Sequence, residues 1–266
     1  MTWIVGTAPP FGYSILVSDV CVTFRDAEGH CRTADCLQKI YQLGQFILGG
    51  FAGSVKIGLS ILAILQQQFA QIPQNKAWQV DVVANTWLPR LVRQIFLSAP
   101  EAEQQIGSSI ILASAHPTRN CGDAPWPWTD VHVFRYPDFK PEKAAPMEVI
   151  AIGSGAQAKP YMEAVRDFCS DSVFMQTITS GENAQALILA HTISRTVAES
   201  PTPGISTHFQ VGLVTRGKIT IRNFERTDYD PDGKKTSHKF PKIAHGWDEF
   251  THLCTDLAQG YEEAMC

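Results

Sequence analysis

The chain opens Met1-Thr2-Trp3-Ile4-Val5-Gly6-Thr7, and the reading of this short stretch decides the rest. Residues 2–7 have the apolar, β-branched and aromatic content of a strand. Ala8-Pro9-Pro10-Phe11-Gly12 follows as a turn, and residues 13–18 read as the returning strand. Aminopeptidases that strip an initiator methionine accept a small second residue such as Thr2. The cut would leave Thr2 with a hydroxyl and a free α-amine. A free α-amine titrates at about 7.7–8.0, so near neutral pH it can act as base for its own hydroxyl. Nucleophile and general base would then sit in one residue.

Working outward, Asp19 stands at the end of the second strand, and Lys39 opens the extended stretch Ile40-Tyr41-Gln42-Leu43. Phe46-Ile47-Leu48 runs into Gly49-Gly50-Phe51-Ala52-Gly53-Ser54, and an amphipathic helical pattern begins at Val55. Helices are predicted over 55–68, 80–98, 156–169 and 182–198, with Pro89 bending or interrupting the second. Val55, Leu59, Leu62 and Phe69 mark the apolar face of the first helix; Val83, Trp87, Leu91 and Ile95 mark that of the second. Strands are predicted over 108–115, 131–136, 148–152, 209–215 and 218–222, the last two as a hairpin around Arg216-Gly217. Strands, helix pair, strands, helix pair, strands is an α+β order. It predicts a four-layer αββα sandwich, two sheets between two helical layers.

In this order the residues resemble the catalytic β-type subunits of the proteasome. They are most similar to the bacterial threonine peptidase that works with a ring-shaped ATP-driven unfoldase, an N-terminal-nucleophile hydrolase. The resemblance rests on Thr2, Asp19, Lys39, Gly50-Phe51-Ala52-Gly53 and Val149-Ile150-Ala151-Ile152-Gly153-Ser154-Gly155, and it covers residues 2–225. It implies a threonine-type endopeptidase with Thr2 as nucleophile and Asp19, Lys39, Gly50 and Ser154 as further catalytic residues. It also implies a pocket of Val22, Leu37, Tyr41, Leu48 and Ala52, suited to a bulky apolar side chain before the cut. Three stretches depart from the family: a longer 20–38 segment, a Pro/Trp-rich piece within 116–147, and a C-terminal extension with a helix over 226–266. An Asp followed by a Ser is expected before the last core strands. Pro203-Gly204-Ile205-Ser206-Thr207-His208 has no Asp, leaving Ser206 and Thr207 as candidate supports.

Each implied role has a physical reason. The Thr2 hydroxyl attacks the scissile carbonyl and forms an ester while its own amine, directly or through water, takes the proton. A Lys39 ammonium beside Thr2 favours the neutral amine and stabilises the developing alkoxide. Asp19 keeps Lys39 charged and oriented. Gly50 offers a backbone N–H to the oxyanion with no side chain in the way. Ser154 either touches the Thr2 amine or caps the helix that follows it. The Gly153-Ser154-Gly155 turn lacks the lysine of a phosphate loop.

The chain has 266 residues, 44% hydrophobic and 18% charged, which is a globular composition. A net charge of −4 supplies no basic footprint for nucleic acid and no polybasic membrane patch. No apolar run reaches the roughly 18 residues of a membrane helix, and the first residues lack the basic stretch followed by an apolar one of an export signal, so the expected location is cytoplasmic. The seven cysteines read as free thiols. Cys31 and Cys36, with His30 or Cys21, lack a clean metal-ligand spacing, so no metal and no cofactor is expected. Trp78, Trp87, Phe96 and Leu97 crowd the second helix and predict an interface between copies. The expected partners are a homo-oligomeric ring, peptide or unfolded protein substrates and an ATP-dependent unfoldase. Two other classes stay open: a non-peptide amidase with the same nucleophile, and a non-catalytic structural ring subunit.

Overall fold

The computed structural model describes residues 2–9, 11–25, 29–71, 80–170, 182–229 and 232–265. Six strands come first: β1 (Trp3–Thr7), β2 (Tyr13–Asp19), β3 (Cys21–Arg25), β4 (Cys31–Asp35), β5 (Ile40–Gly44) and β6 (Ile47–Gly53). Helices α1 (Val55–Gln71), α2 (Val80–Asn85), α3 (Leu88–Ser98) and α4 (Glu101–Ile106) follow. Next are β7 (Ser108–Asn120), β8 (Pro127–Arg135), β9 (Pro141–Lys143), β10 (Val149–Gly153), α5 (Lys159–Ser170) and α6 (Glu182–Glu199). Strands β11 (Phe209–Thr215), β12 (Ile219–Phe224), β13 (Thr227–Tyr229) and β14 (Lys235–Ser237) lead to the C-terminal helix α7 (Trp247–Met265).

Two five-stranded sheets carry the fold, one in the order β10-β1-β2-β11-β12 and one in the order β5-β6-β7-β8-β9. Both are antiparallel at every pairing. Side chains alternate along a strand, so a strand covered on both faces is apolar throughout. On one face of β1, Trp3 and Val5 pack with Tyr161 and Val165 of α5 and Leu189 and Ile193 of α6. On the other face Ile4 joins Leu16, Ile40, Leu48, Ile111 and Ile152, residues drawn from both sheets. A third core lies under α1, α2 and α3, where Ile57, Ile61, Leu65, Val92 and Phe96 meet Ile47, Phe51, Leu112 and Phe134. The chain is therefore mixed α+β, with stacked sheets and helices packed outside them. Small residues let the sheets approach. A Cβ on Gly6 would lie 2.8 Å from Ile111 Cδ1 and 2.9 Å from Val131 Cγ1.

Several expected elements shift. The first helix runs to Gln71, and its buried face centres on Ile57, Ile61 and Leu65, with Val55 and Leu59 only flanking. The expected helix over 80–98 is two helices, with Pro89 in the first turn of α3. That break resets the helical phase, so the buried face carries Leu88, Val92 and Phe96, one residue later than the uninterrupted pattern predicts. Phe96 then packs on Tyr136 and Phe139, and Trp87 on Phe69. These two aromatics serve the chain's own core and do not form the expected patch. Leu97 remains exposed, and Trp78 lies outside the described residues. The Pro/Trp-rich piece extends the β7–β8 hairpin as far as the Asn120–Pro127 pairing. Among the described residues no helix is long and apolar enough to cross a membrane.

Candidate active site

Thr2 sits just before β1, and residues 153–155 determine its position. Trp3 pairs with Gly153 across the β1–β10 ladder. Gly153 has φ +88°, and a Cβ there would stand 2.1 Å from Thr2 O. A Cβ on Gly155 would meet Trp3 Cγ at 2.3 Å, so both glycines are demanded by their neighbours at residues 2 and 3. The Trp3 ring stacks on Tyr161 with centroids 4.7 Å apart, which pins this end of β1. Ser154 Oγ accepts the Thr2 N–H at 3.2 Å and donates to Thr2 O at 3.3 Å. Ser154 is no helix cap: it starts a 3-10 turn (Ser154–Gln157), and α5 begins at Lys159. Of its two expected roles, it takes the contact with Thr2.

Asp19 and Lys39 form a buried ion pair, Nζ to Oδ1 2.9 Å, with side chains 0% and 1% exposed. The same Asp19 oxygen accepts the Trp3 N–H at 2.9 Å, tying the pair to the residue after Thr2. Lys39 Nζ also donates to Cys21 O. Burial pushes the Asp19 carboxyl above its ordinary value, while the Lys39 ammonium and the Trp3 and Ser206 amides pull the other way. Burial, with Asp19 and Asp35 nearby, pushes the Cys21 thiol up to about 12, leaving it inert as a nucleophile.

A cleft of about 880 Å3 opens over these groups, lined by Thr2, Lys39, Gly153 and Ser154, and by Val22, Phe51, Ala52, Gly53 and Val55. Gly50 is not in it. Gly50 lies mid-strand in β6, paired with Ile40 and Ile111, and a Cβ there would meet Ile40, Ile111 and Ile4 at 3.1–3.2 Å. It spaces the two sheets. Leu48 belongs to the same inter-sheet core, and Leu37 to the core under the helices. Tyr41 donates its hydroxyl to Gln38 O at 2.8 Å and lines a neighbouring hollow. Of the expected pocket, Val22 and Ala52 line the cleft; Leu37, Tyr41 and Leu48 do not.

Gly53 is the glycine that sequence reasoning passed over. It lines the cleft, has φ +99°, and a Cβ there would meet Gly107 O at 2.3 Å. The Phe51 N–H donates to Lys39 O at 3.2 Å. Amides two apart point to the same side of a strand, so the Gly53 N–H projects the same way, beyond the start of β5 at Ile40. The next residue, Ser54, caps α1 by accepting the Ile57 N–H at 3.1 Å, which makes Gly53 the hinge between strand and helix.

Ser206 reaches the site from behind. Its amide lies against Asp19. Its hydroxyl donates to Asp35 Oδ2 at 2.5 Å and accepts the His208 N–H at 2.8 Å. His208 Nδ1 is 2.7 Å from the same Asp35 oxygen. Burial works to raise the Asp35 carboxyl, but the His208 and Ser206 hydrogen bonds outweigh it and leave it below its ordinary value. Serine and histidine both bond to the carboxylate, and Ser206 Oγ lies 3.4 Å from His208 Nδ1. Thr207 O accepts the Ser194 hydroxyl at 2.9 Å. Cys31 is exposed at the start of β4, while Cys36 is buried in the core under the helices. Among the described residues no three His, Cys, Asp or Glu groups come together as a metal site. No family model matches the chain, and no curated protein matches it.

Proposed function

We propose that this chain is a threonine-type endopeptidase of the N-terminal-nucleophile kind, active once Met1 is removed. One observation carries the reading: a buried Asp19–Lys39 pair whose lysine lines the same cleft as Thr2. Burying two charges costs several kcal/mol per ion and stabilises little. Catalysis gives a reason to keep the pair: a fixed cation beside a nucleophile. Ser154 already holds the Thr2 N–H, and the same hydroxyl would hold the free amine. The Thr2 hydroxyl attacks a carbonyl bound in the cleft, the amine takes the proton, and the acyl group becomes an ester on Thr2. The Gly53 N–H takes the oxyanion role expected of Gly50. The amine then returns the proton to the leaving amine, and water hydrolyses the ester.

The same reading makes the stacked sheets and outer helices the four-layer sandwich of that superfamily, and it puts the protein in the cytoplasm. It carries the expected assembly: a closed homo-oligomeric ring acting on peptides and unfolded proteins, the latter delivered by an ATP-dependent unfoldase. Leu97 and Ile106, both exposed, are side chains such a ring would cover. The test is Thr2→Ala with a fluorogenic peptide, beside labelling with a peptide epoxyketone, which requires both a hydroxyl and an amine. Turnover should fall by at least the roughly 10²–10⁴ of one catalytic group, and the adduct should map to Thr2. Unchanged cleavage by Thr2→Ala would exclude this site.

A further inference from the structure

We infer that helix α7, from the C-terminal segment, forms one wall of the substrate cleft, where Phe250 and Trp247 select the side chain bound on the acyl side of the cut. The inference rests on the reading of Thr2 as nucleophile and extends it to residues outside the 2–225 region of resemblance. Trp247 and Phe250 line the same cleft as Thr2 and Lys39. Phe250 is almost fully buried, in one apolar cluster with Val22 and Phe51. An apolar wall facing an apolar floor binds a large aliphatic or aromatic side chain.

The wall is built firmly. Ala244 bridges Leu37, with Ala244 N–H donating to Cys36 O at 2.8 Å and Gln38 N–H to Ala244 O at 3.0 Å. The C-terminal segment is thus pinned to the residues just before Lys39. Glu249 then reaches back to the His245 N–H at 2.8 Å, securing the first turn of α7. The Phe250 N–H donates to Gly246 O at 3.0 Å. The Trp247 ring packs on Phe250 with centroids 5.9 Å apart, and the Lys56 ammonium lies 5.7 Å from the Trp247 centroid. A wall held this way sets pocket depth by side-chain size.

The test compares kcat/KM for two peptides that differ only before the cut, one with leucine and one with naphthylalanine. An apolar pocket resolves one methylene by roughly 10- to 200-fold. Phe250→Ala deepens the pocket and should raise the naphthylalanine-to-leucine ratio by about tenfold or more. Trp247→Ala, at a half-exposed position that the fold tolerates, should move the ratio the same way by a smaller factor. Phe250→Leu replaces Phe250→Ala if the latter does not fold. A wild-type ratio in both the Phe250 and Trp247 variants would overturn the inference. Labelling of wild-type Thr2 by a small β-lactone separates the two readings. An adduct with unchanged ratios removes the wall alone, and no adduct removes the nucleophile and the wall with it.

Discussion

Replacing Lys39 with methionine tests what holds the centre of the site. Methionine keeps the length and apolar volume of the side chain but leaves Asp19 fully buried with no cation. The Trp3 and Ser206 amides remain, but neutral amides do not neutralise a buried carboxylate. Asp19 must then take up a proton to stay folded. For a carboxyl of ordinary pKa about 3.9, protonation near pH 7 costs about 4 kcal/mol, at about 1.36 kcal/mol per pH unit. This agrees with the roughly 3–5 kcal/mol for breaking a buried pair by removing one partner. In the variant, folded Asp19 has its pKa raised above the unfolded value, so the folded state binds the extra proton. Its stability is retained near pH 4 and falls by about 1.4 kcal/mol per unit as pH rises toward 7. Urea unfolding of wild type and variant across that range measures the slope. Asp19→Asn added to Lys39→Met should recover most of the stability and flatten the slope, yet leave peptidase activity down by about 10²–10⁴. A stability difference below about 1 kcal/mol, or one independent of pH, would refute the reasoning that Lys39 is what compensates the buried Asp19 carboxylate.

Gly153→Ala should displace the chain at Thr2, because its Cβ would lie 2.1 Å from Thr2 O in a backbone region L-residues avoid. The expected cost is about 2–4 kcal/mol in urea unfolding, with loss of turnover; wild-type activity would contradict the placement of Thr2. At the far edge, Asp81 joins α2 to β8 and β9 through His132 at 3.1 Å and Lys143 at 2.9 Å. The His132 hydrogen bond, then Lys143, hold the Asp81 carboxyl below its ordinary value against the opposing effect of burial. Its stabilisation is therefore present above about pH 4 and lost as pH falls through the lowered pKa. Asp81→Asn should lower Tm at neutral pH by an amount worth about 1 kcal/mol, since solvent screens a site one-third exposed. That gap should close in acid; a gap that widens there would contradict the assignment.

Much of the architecture is legible in the sequence because it is written locally. Apolar runs ending in Asp19 and Gly153 mark strand ends, and the Gly153-Ser154-Gly155 triplet marks the turn that receives residues 2 and 3, whereas Gly50-Phe51-Ala52-Gly53, which reads as a turn, continues β6 to Gly53. Asp19 and Lys39 stand out as charges at the ends of apolar strands. What the sequence hides depends on register and on distance along the chain. Gly49, Gly50 and Gly53 are equivalent as letters. Only the pairing of β6 against β5, with the Phe51 amide on Lys39 O, puts Gly53 at the cleft and Gly50 between the sheets. The same shift takes Leu48 out of the pocket and brings Phe51 in. The buried face of α3 is offset because the break before Pro89 restarts the helical phase. The contribution of α7 is invisible to periodicity, since its anchor joins Ala244 to Leu37 across most of the chain.

The central claim is that one residue supplies both nucleophile and base. Intact-mass measurement of an active preparation, before and after reaction with a peptide epoxyketone, tests it most directly. The account predicts a chain that lacks Met1 and takes up one inhibitor, with the adduct on the N-terminal peptide at Thr2 and activity lost in proportion. Full peptidase activity from a chain that retains Met1, or an adduct on any other residue, would contradict it.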